Sequence, residues 1–68
     1  MAKIMTATIY LHWSDDSETH FEVEVEGEEH ECMNTIMWVT RGSLMASGAV
    51  RAIACDGNGH GICSYYRN

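Results

Sequence analysis

The segment HFEVEVE, residues 20–26, gives the clearest indication of the architecture, because apolar and charged residues alternate along it without interruption. Successive side chains of a β-strand point to opposite faces of a sheet, so Phe21, Val23 and Val25 would share one face. The alternation therefore predicts a half-buried strand whose three glutamates are directed to solvent. Gly27 ends the segment.

The preceding segment has the same period of two. Residues 3–13, KIMTATIYLHW, alternate apolar and polar side chains, and residues 14–19, SDDSET, have the composition of a turn. Two alternating segments joined by a short polar turn predict a β-hairpin. The inward side chains of its first strand are expected to be Met5, Ala7, Ile9, Leu11 and Trp13.

After Gly27 the period changes to that of a helix, and the pattern predicts an α-helix over residues 29–46. Acidic residues fill its first turn, where they favour the helix dipole, and Ser47-Gly48 is a plausible end. Two features oppose this helix: the run TIMWVT, residues 35–40, is rich in residues that favour strands, and Gly42 is unfavourable inside a helix. A strand over residues 35–40 is therefore the alternative. The expected core stripe of the helix is Met33, Ile36, Met37, Thr40 and Leu44.

Residues 50–55 and 60–66 predict two further strands around the turn sequence DGNG, residues 56–59. A two-residue turn would pair residue 54 with 63 and place Cys55 and Cys63 on opposite faces. A three-residue turn centred on Gly59 would pair the two cysteines directly, which would allow a disulfide or a shared metal ion. The whole chain, residues 1–68, is thus predicted to be a single acidic α+β domain: a four-stranded antiparallel sheet with one helix on one face, in ββαββ order.

The charge balance limits the classes of partner. Ten acidic residues against four basic ones give a net charge of −6. Direct nucleic-acid binding and binding to an anionic membrane both need a basic surface, so neither is expected. No apolar run approaches the roughly 20 residues of a membrane span, and the first residues lack the apolar stretch of a secretion signal. We therefore expect a cytoplasmic protein.

The acidic residues are concentrated in one part of the chain. Nine of the ten lie between Asp15 and Glu31, in a window without lysine or arginine. The glutamates of the second strand would project from one face about 6.7 Å apart, as a stiff row that could occupy a basic groove of a partner. The alternatives are a solvated strand face, or charges that protect an edge strand from aggregation. The carboxylates expected to contact a partner are Asp15, Asp16, Glu18, Glu22, Glu24 and Glu26.

Trp38 lies away from the expected core stripe of the helix, with Asn34 and Met45 near it in angle. Exposed tryptophan and methionine side chains often anchor protein interfaces. Trp38 is therefore a candidate partner-binding residue, and packing against the rim of the sheet is the alternative.

The cysteines and histidines are the residues that could form a metal site. The spacing Cys55-x4-His60-x2-Cys63, with His30 and Cys32 elsewhere, offers zinc ligands but no paired C-x2-C motif. A reducing cytoplasm would keep the three cysteines as free thiols. We assign no metal ligand, no cofactor and no catalytic residue, because nothing indicates an activated thiolate and the glycines near residue 59 precede no helix.

The size, the acidity and the predicted ββαββ order, with the stretches VTRGSLMAS (39–47) and ICSYY (62–66), resemble small proteins that phages and prophages encode against host machinery. Anti-CRISPR proteins and the phage inhibitor of bacterial RNA polymerase are the comparisons. The resemblance implies stoichiometric inhibition by occupying a protein surface, often one that binds nucleic acid. It assigns no residue.

Two functions remain open from the sequence. The first is a non-enzymatic, phage-type inhibitor that binds a basic surface of a host protein or nucleoprotein complex in the bacterial cytoplasm. The second is a small structural or metal-binding domain, stabilised through its cysteine and histidine residues, which could form a homodimer.

Overall fold

A computed structural model describes residues 2–67. Its elements are β1 (Lys3–His12), β2 (Glu18–Gly27), α1 (Glu29–Ala46), β3 (Arg51–Asp56) and β4 (Gly61–Tyr66). The strands form one antiparallel sheet in the order β2-β1-β3-β4, and α1 packs against it. The predicted α+β architecture and the helix bounds are confirmed, and each strand end lies within two residues of its prediction. None of the helices formed by the described residues is long and apolar enough to span a membrane.

The helix contacts the sheet through residues spaced four apart. Cys32, Ile36, Thr40 and Leu44 are its buried side chains. Four residues turn the helix by slightly more than one revolution, so this stripe drifts around α1 as the helix crosses the strands. The predicted stripe was therefore partly wrong: Met33 is only half-buried.

Two further side chains differ from their predicted burial. Met37, expected in the core stripe, is 40% exposed, because Cys32 and not the methionine lies in line with Ile36. Phe21 lies opposite Ile9 on the face covered by the helix, yet it remains 37% exposed. The reason is that β2 is one of the two outer strands of the sheet, where the helix covers its side chains only in part.

Small side chains bring the helix close to the central strands. Ala7, Ala52 and Ala54 are buried on the face toward α1, and Ile9 and Leu11 fill the space between them. Close packing of this kind gains dispersion energy from many short contacts. The alternate positions of β1 and β3 consequently point away from the helix, toward the uncovered face.

The β3–β4 hairpin combines parts of both predicted registers. Its loop has three residues, because Asp56 N donates to His60 O at 2.8 Å and Gly59 N donates to Asp56 O at 3.0 Å. A register shift next to Cys55 then restores the pairing of Ala54 with Cys63. Cys63 therefore faces the helix with Ala54, whereas Cys55 faces the other side of the sheet. The direct Cys55–Cys63 pairing is wrong, since an extra residue in β4 separates them in register.

Candidate functional site

One face of the sheet carries no helix within residues 2–67, and we call it the open face. Val23 and Val25 pack toward the core, so the alternate residues of β2 project from the open face. Glu22, Glu24 and Glu26 are these residues, and all three are exposed. We call these three carboxylates the acidic row.

The neighbouring strand supplies no opposite charge to the acidic row. Glu22 pairs in register with Thr8, and Glu24 pairs with Thr6. Within residues 2–67, the ion pairs formed by carboxylates involve histidine, and none joins the acidic row to lysine or arginine. The row therefore presents its negative charge to solvent along an edge of the sheet.

Further carboxylates extend this charge at both ends of β2. Asp15 and Asp16 lie in the loop that joins β1 to β2, and Glu29 and Glu31 lie in the first turn of α1, directly after the strand. A strand of ten residues spans about 30 Å. Negative charge thus follows the full length of one sheet edge. We use the name acidic edge for the six predicted carboxylates, namely Asp15, Asp16, Glu18, Glu22, Glu24 and Glu26.

Two members of the acidic edge have partners inside the protein. The hydroxyl of Ser17 donates to Asp15 Oδ1 at 2.5 Å, and its backbone N–H donates to the same oxygen at 3.0 Å. Both bonds lower the pKa of Asp15 from its usual value, and the bond from the Ser17 hydroxyl is the larger cause. Glu18 Oε2 lies 3.2 Å from His12 Nε2, and both side chains stay partly exposed. Ser17 therefore holds the Asp15 carboxylate in place, and Glu18 lies beside the imidazole of His12.

The open face changes character from β2 toward β4. The rings of Tyr10 and His20 lie 5.6 Å apart between their centroids. On the far side, the guanidinium of Arg51 lies 5.5 Å from the centre of the Tyr66 ring. The Nε of Arg51 is buried, and no hydrogen-bond acceptor among the described residues reaches it. The face is thus acidic along residues 22–26 of β2, aromatic where His20 of β2 meets Tyr10 of β1, and cationic–aromatic near β4.

Trp38 lies on a different surface from the acidic row. It is 71% exposed, which agrees with its predicted position off the core stripe. It lines a groove between α1 and β4 together with Met37, Arg41 and Tyr65. The groove continues past Arg41 to Met45, which is 68% exposed. The helix and the acidic row occupy opposite sides of the sheet, so the structure does not bring Trp38 together with the predicted carboxylates.

The cysteines form no shared site in the part of the chain that the structure describes. Cys32 is buried beneath the start of α1, and Cys55 and Cys63 are half-buried on opposite faces; all three are free thiols. Within residues 2–67, no three histidine, cysteine or acidic side chains come together in a way that could hold a metal ion.

The groove between α1 and β4 was not predicted from the sequence. The sequence GICSYY, residues 61–66, is the signal that could have indicated this groove. It contains no charged residue, although it is the last of the four predicted strands. Comparison of the chain with protein-family models, with curated proteins and with solved structures finds no match. Geometry and charge are therefore the basis for a functional proposal.

Proposed function

We propose that this chain is a non-enzymatic, phage-type inhibitor that binds a basic surface of a bacterial protein or nucleoprotein complex in the host cytoplasm. The acidic edge makes the contact. The observation that carries the proposal is the acidic row: three exposed carboxylates on the open face of an outer strand, with no lysine or arginine paired to them among the described residues.

A strand is a suitable support for such a row. Its backbone is fixed by pairing with β1 over ten positions, so the points from which the three glutamates project are already in line before binding. A preorganised backbone lowers the cost of association, because no backbone rotations of β2 have to be lost. A surface that binds nucleic acid is rich in lysine and arginine that contact phosphates, and the acidic row would compete for those groups.

The net charge of −6 supports the same mode of binding at longer range. Complementary charge accelerates encounter with a cationic partner, and added salt screens this attraction. At about 0.15 M salt the screening length is about 8 Å, which is close to the spacing of neighbouring carboxylates in the row. Binding is therefore expected to weaken strongly between about 50 and 200 mM salt.

The experiment is capture of partners from bacterial lysate by the tagged chain at low and high salt. The variant is Glu24→Lys, at the centre of the acidic row. The matched control is Glu29→Lys, which changes the net charge equally at another exposed position, in the first turn of α1. We expect Glu24→Lys to reduce capture at least tenfold and the control to reduce it far less, with both variants folded by circular dichroism.

Equal capture by wild type and Glu24→Lys would contradict the proposal, because the row would then be only a solvated face. The alternative function, a structural domain that depends on a metal, makes a different prediction. It requires a large fall in melting temperature when a chelator and a reductant are added, whereas the inhibitor requires almost none.

A further inference from the structure

The two outer strands of the sheet differ in how they are protected. Strand β2 carries the acidic row, and charged side chains on an outer strand hinder pairing with another chain. Strand β4, GICSYY, carries neither a charge nor a proline. Within residues 2–67 it pairs with β3 on one side only. It is therefore a β-prone strand with one unprotected edge.

The backbone groups of β4 that point outward can be assigned from its pairing. Arg67 N donates to Val50 O at 2.9 Å, in the same register that pairs Ala52 with Tyr65. Antiparallel pairs alternate between those that exchange hydrogen bonds and those that do not. The amide and carbonyl of Tyr65 thus face β3, and those of Ser64 face away from the sheet.

Exposed apolar side chains flank this edge on both faces of the sheet. Trp38 and Met45 border the groove above Tyr65, and Tyr66 is 65% exposed on the open face. Burying these exposed parts would remove on the order of 400 Å² from water, judged from the area of aromatic side chains. The outward backbone of β4 and the side chain of Met37 would add to this buried area. The total approaches the roughly 800 Å² that each partner buries in a stable interface.

We infer that a second copy of this chain pairs with β4, antiparallel and about a two-fold axis at Ser64. The outward amide of each Ser64 then donates to the carbonyl of the other, and Cys63 of one copy lies opposite Tyr65 of the other. The two sheets join into one of eight strands with both helices on the same face. The contact uses the same patch on each copy, so it closes as a dimer.

The charge distribution favours a second copy at β4 and disfavours one at β2. Pairing through β2 would place two acidic rows side by side, and like charges on adjacent strands repel. Pairing through β4 separates the two β2 strands by seven strand spacings, about 34 Å. That distance is several times the screening length of about 8 Å at physiological salt. The dimer also leaves both acidic edges free, so this inference does not depend on the proposed function.

The test is the oligomeric state of the purified chain, measured by sedimentation velocity at protein concentrations from about 1 to 200 µM. This range is chosen because interfaces of modest area often have dissociation constants in the micromolar range. The variant is Ser64→Pro. Proline is tolerated where an edge N–H faces solvent, so the monomer should still fold. The matched control is His20→Pro on β2, whose N–H also points outward because Trp13 N donates to Ser17 O in the β1–β2 register.

We expect wild type and His20→Pro to sediment as two copies of the 7.6 kDa chain at high concentration. Ser64→Pro should remain a monomer with an unchanged circular dichroism spectrum. If it does not fold, Trp38→Glu combined with Tyr66→Lys tests the same interface through side chains and should also give a monomer. A wild type that stays monomeric at 200 µM, growth into species larger than a dimer, or dimerisation unaffected by both variants would overturn the inference.

Discussion

The guanidinium of Arg67 donates through Nε to the carbonyl oxygen of Ala49, 2.8 Å away. Its Nη2 also donates to the carbonyls of Ser47, at 2.8 Å, and of Leu44. The last carbonyls of a helix lack partners within the helix, and a cation near them is favoured by the helix dipole. A side chain that follows β4 therefore closes the end of α1 and joins the two parts of the fold.

Replacing Arg67 with alanine should lower the free energy of unfolding by about 2 to 3 kcal/mol, because several charge-assisted hydrogen bonds are lost together. Arg67→Lys is the matched control. It keeps the charge but cannot present a planar fork to several carbonyls, so its free energy of unfolding should lie between those of wild type and the alanine variant. Urea denaturation measures both values. An alanine variant as stable as wild type would show that these bonds contribute nothing in solution.

Thr40 is fully buried, and its hydroxyl donates only to the backbone of its own helix, to Ile36 O at 2.6 Å. Thr40→Val keeps the shape and removes the hydroxyl, so the free energy of unfolding should stay within about 1 kcal/mol of wild type or rise. Thr40→Ser removes the buried methyl group and should cost about 1 kcal/mol or more.

Thr35 provides a control for the threonine prediction, because it makes the same bond, to Glu31 O at 2.9 Å, at an exposed position. Thr35→Ser removes a methyl group that is not buried, so its effect on thermal denaturation should be small. If Thr40→Val proved much less stable than Thr40→Ser, the hydroxyl and not the methyl group would be the important part of this side chain.

The loop between β3 and β4 should make stability depend on pH through Asp56. The backbone N–H groups of His60 and Asn58 each donate to Asp56 Oδ1 at 2.9 Å. The His60 bond is the main cause that lowers the pKa of Asp56 from its usual 3.8. A lowered folded-state pKa means that the carboxylate stabilises the fold fully above 3.8, and that this stability is lost as the pH falls through the lower folded-state value.

Denaturation of wild type should therefore become easier from about pH 5 down to pH 3, the window set by a lowered carboxylate pKa. Asp56→Asn is the control, because an amide oxygen can still accept both bonds but does not titrate in this range. Its stability should change less over the same interval. Parallel pH profiles for the two proteins would show that Asp56 titrates alike in the folded and unfolded states.

Two glycines of the same loop should respond differently to substitution by alanine. A Cβ at Gly57 or at Gly59 would meet no atom within 4 Å, so packing does not distinguish them. Gly59, however, has φ of +82°, which disfavours any residue with a Cβ. Gly59→Ala should lower the free energy of unfolding by about 1 kcal/mol, and Gly57→Ala should leave it equal or raise it by up to about 1 kcal/mol. Equal effects in thermal denaturation would refute this explanation.

Local patterns were sufficient to predict which elements form. The alternation of residues 20–26 determined the inward and outward faces of β2, and the change of period after Gly27 located α1 at the bounds that it has. The acidic row was predictable for the same reason, because a strand fixes on which side each side chain lies. These are properties of neighbouring residues and need no information from distant parts of the chain.

The way in which these elements pack against one another depends on contacts between residues far apart in the chain. Which side of α1 is buried depends on the alanines of β1 and β3, far away in sequence, and they place Cys32 in the core and leave Met37 partly exposed. The extra residue in β4 fixed the faces of Cys55 and Cys63. The helix also carries Trp38 to the opposite side of the sheet from Glu24. Periodicity gives each element its own faces, whereas the relative rotation of two elements is determined by how their side chains pack together.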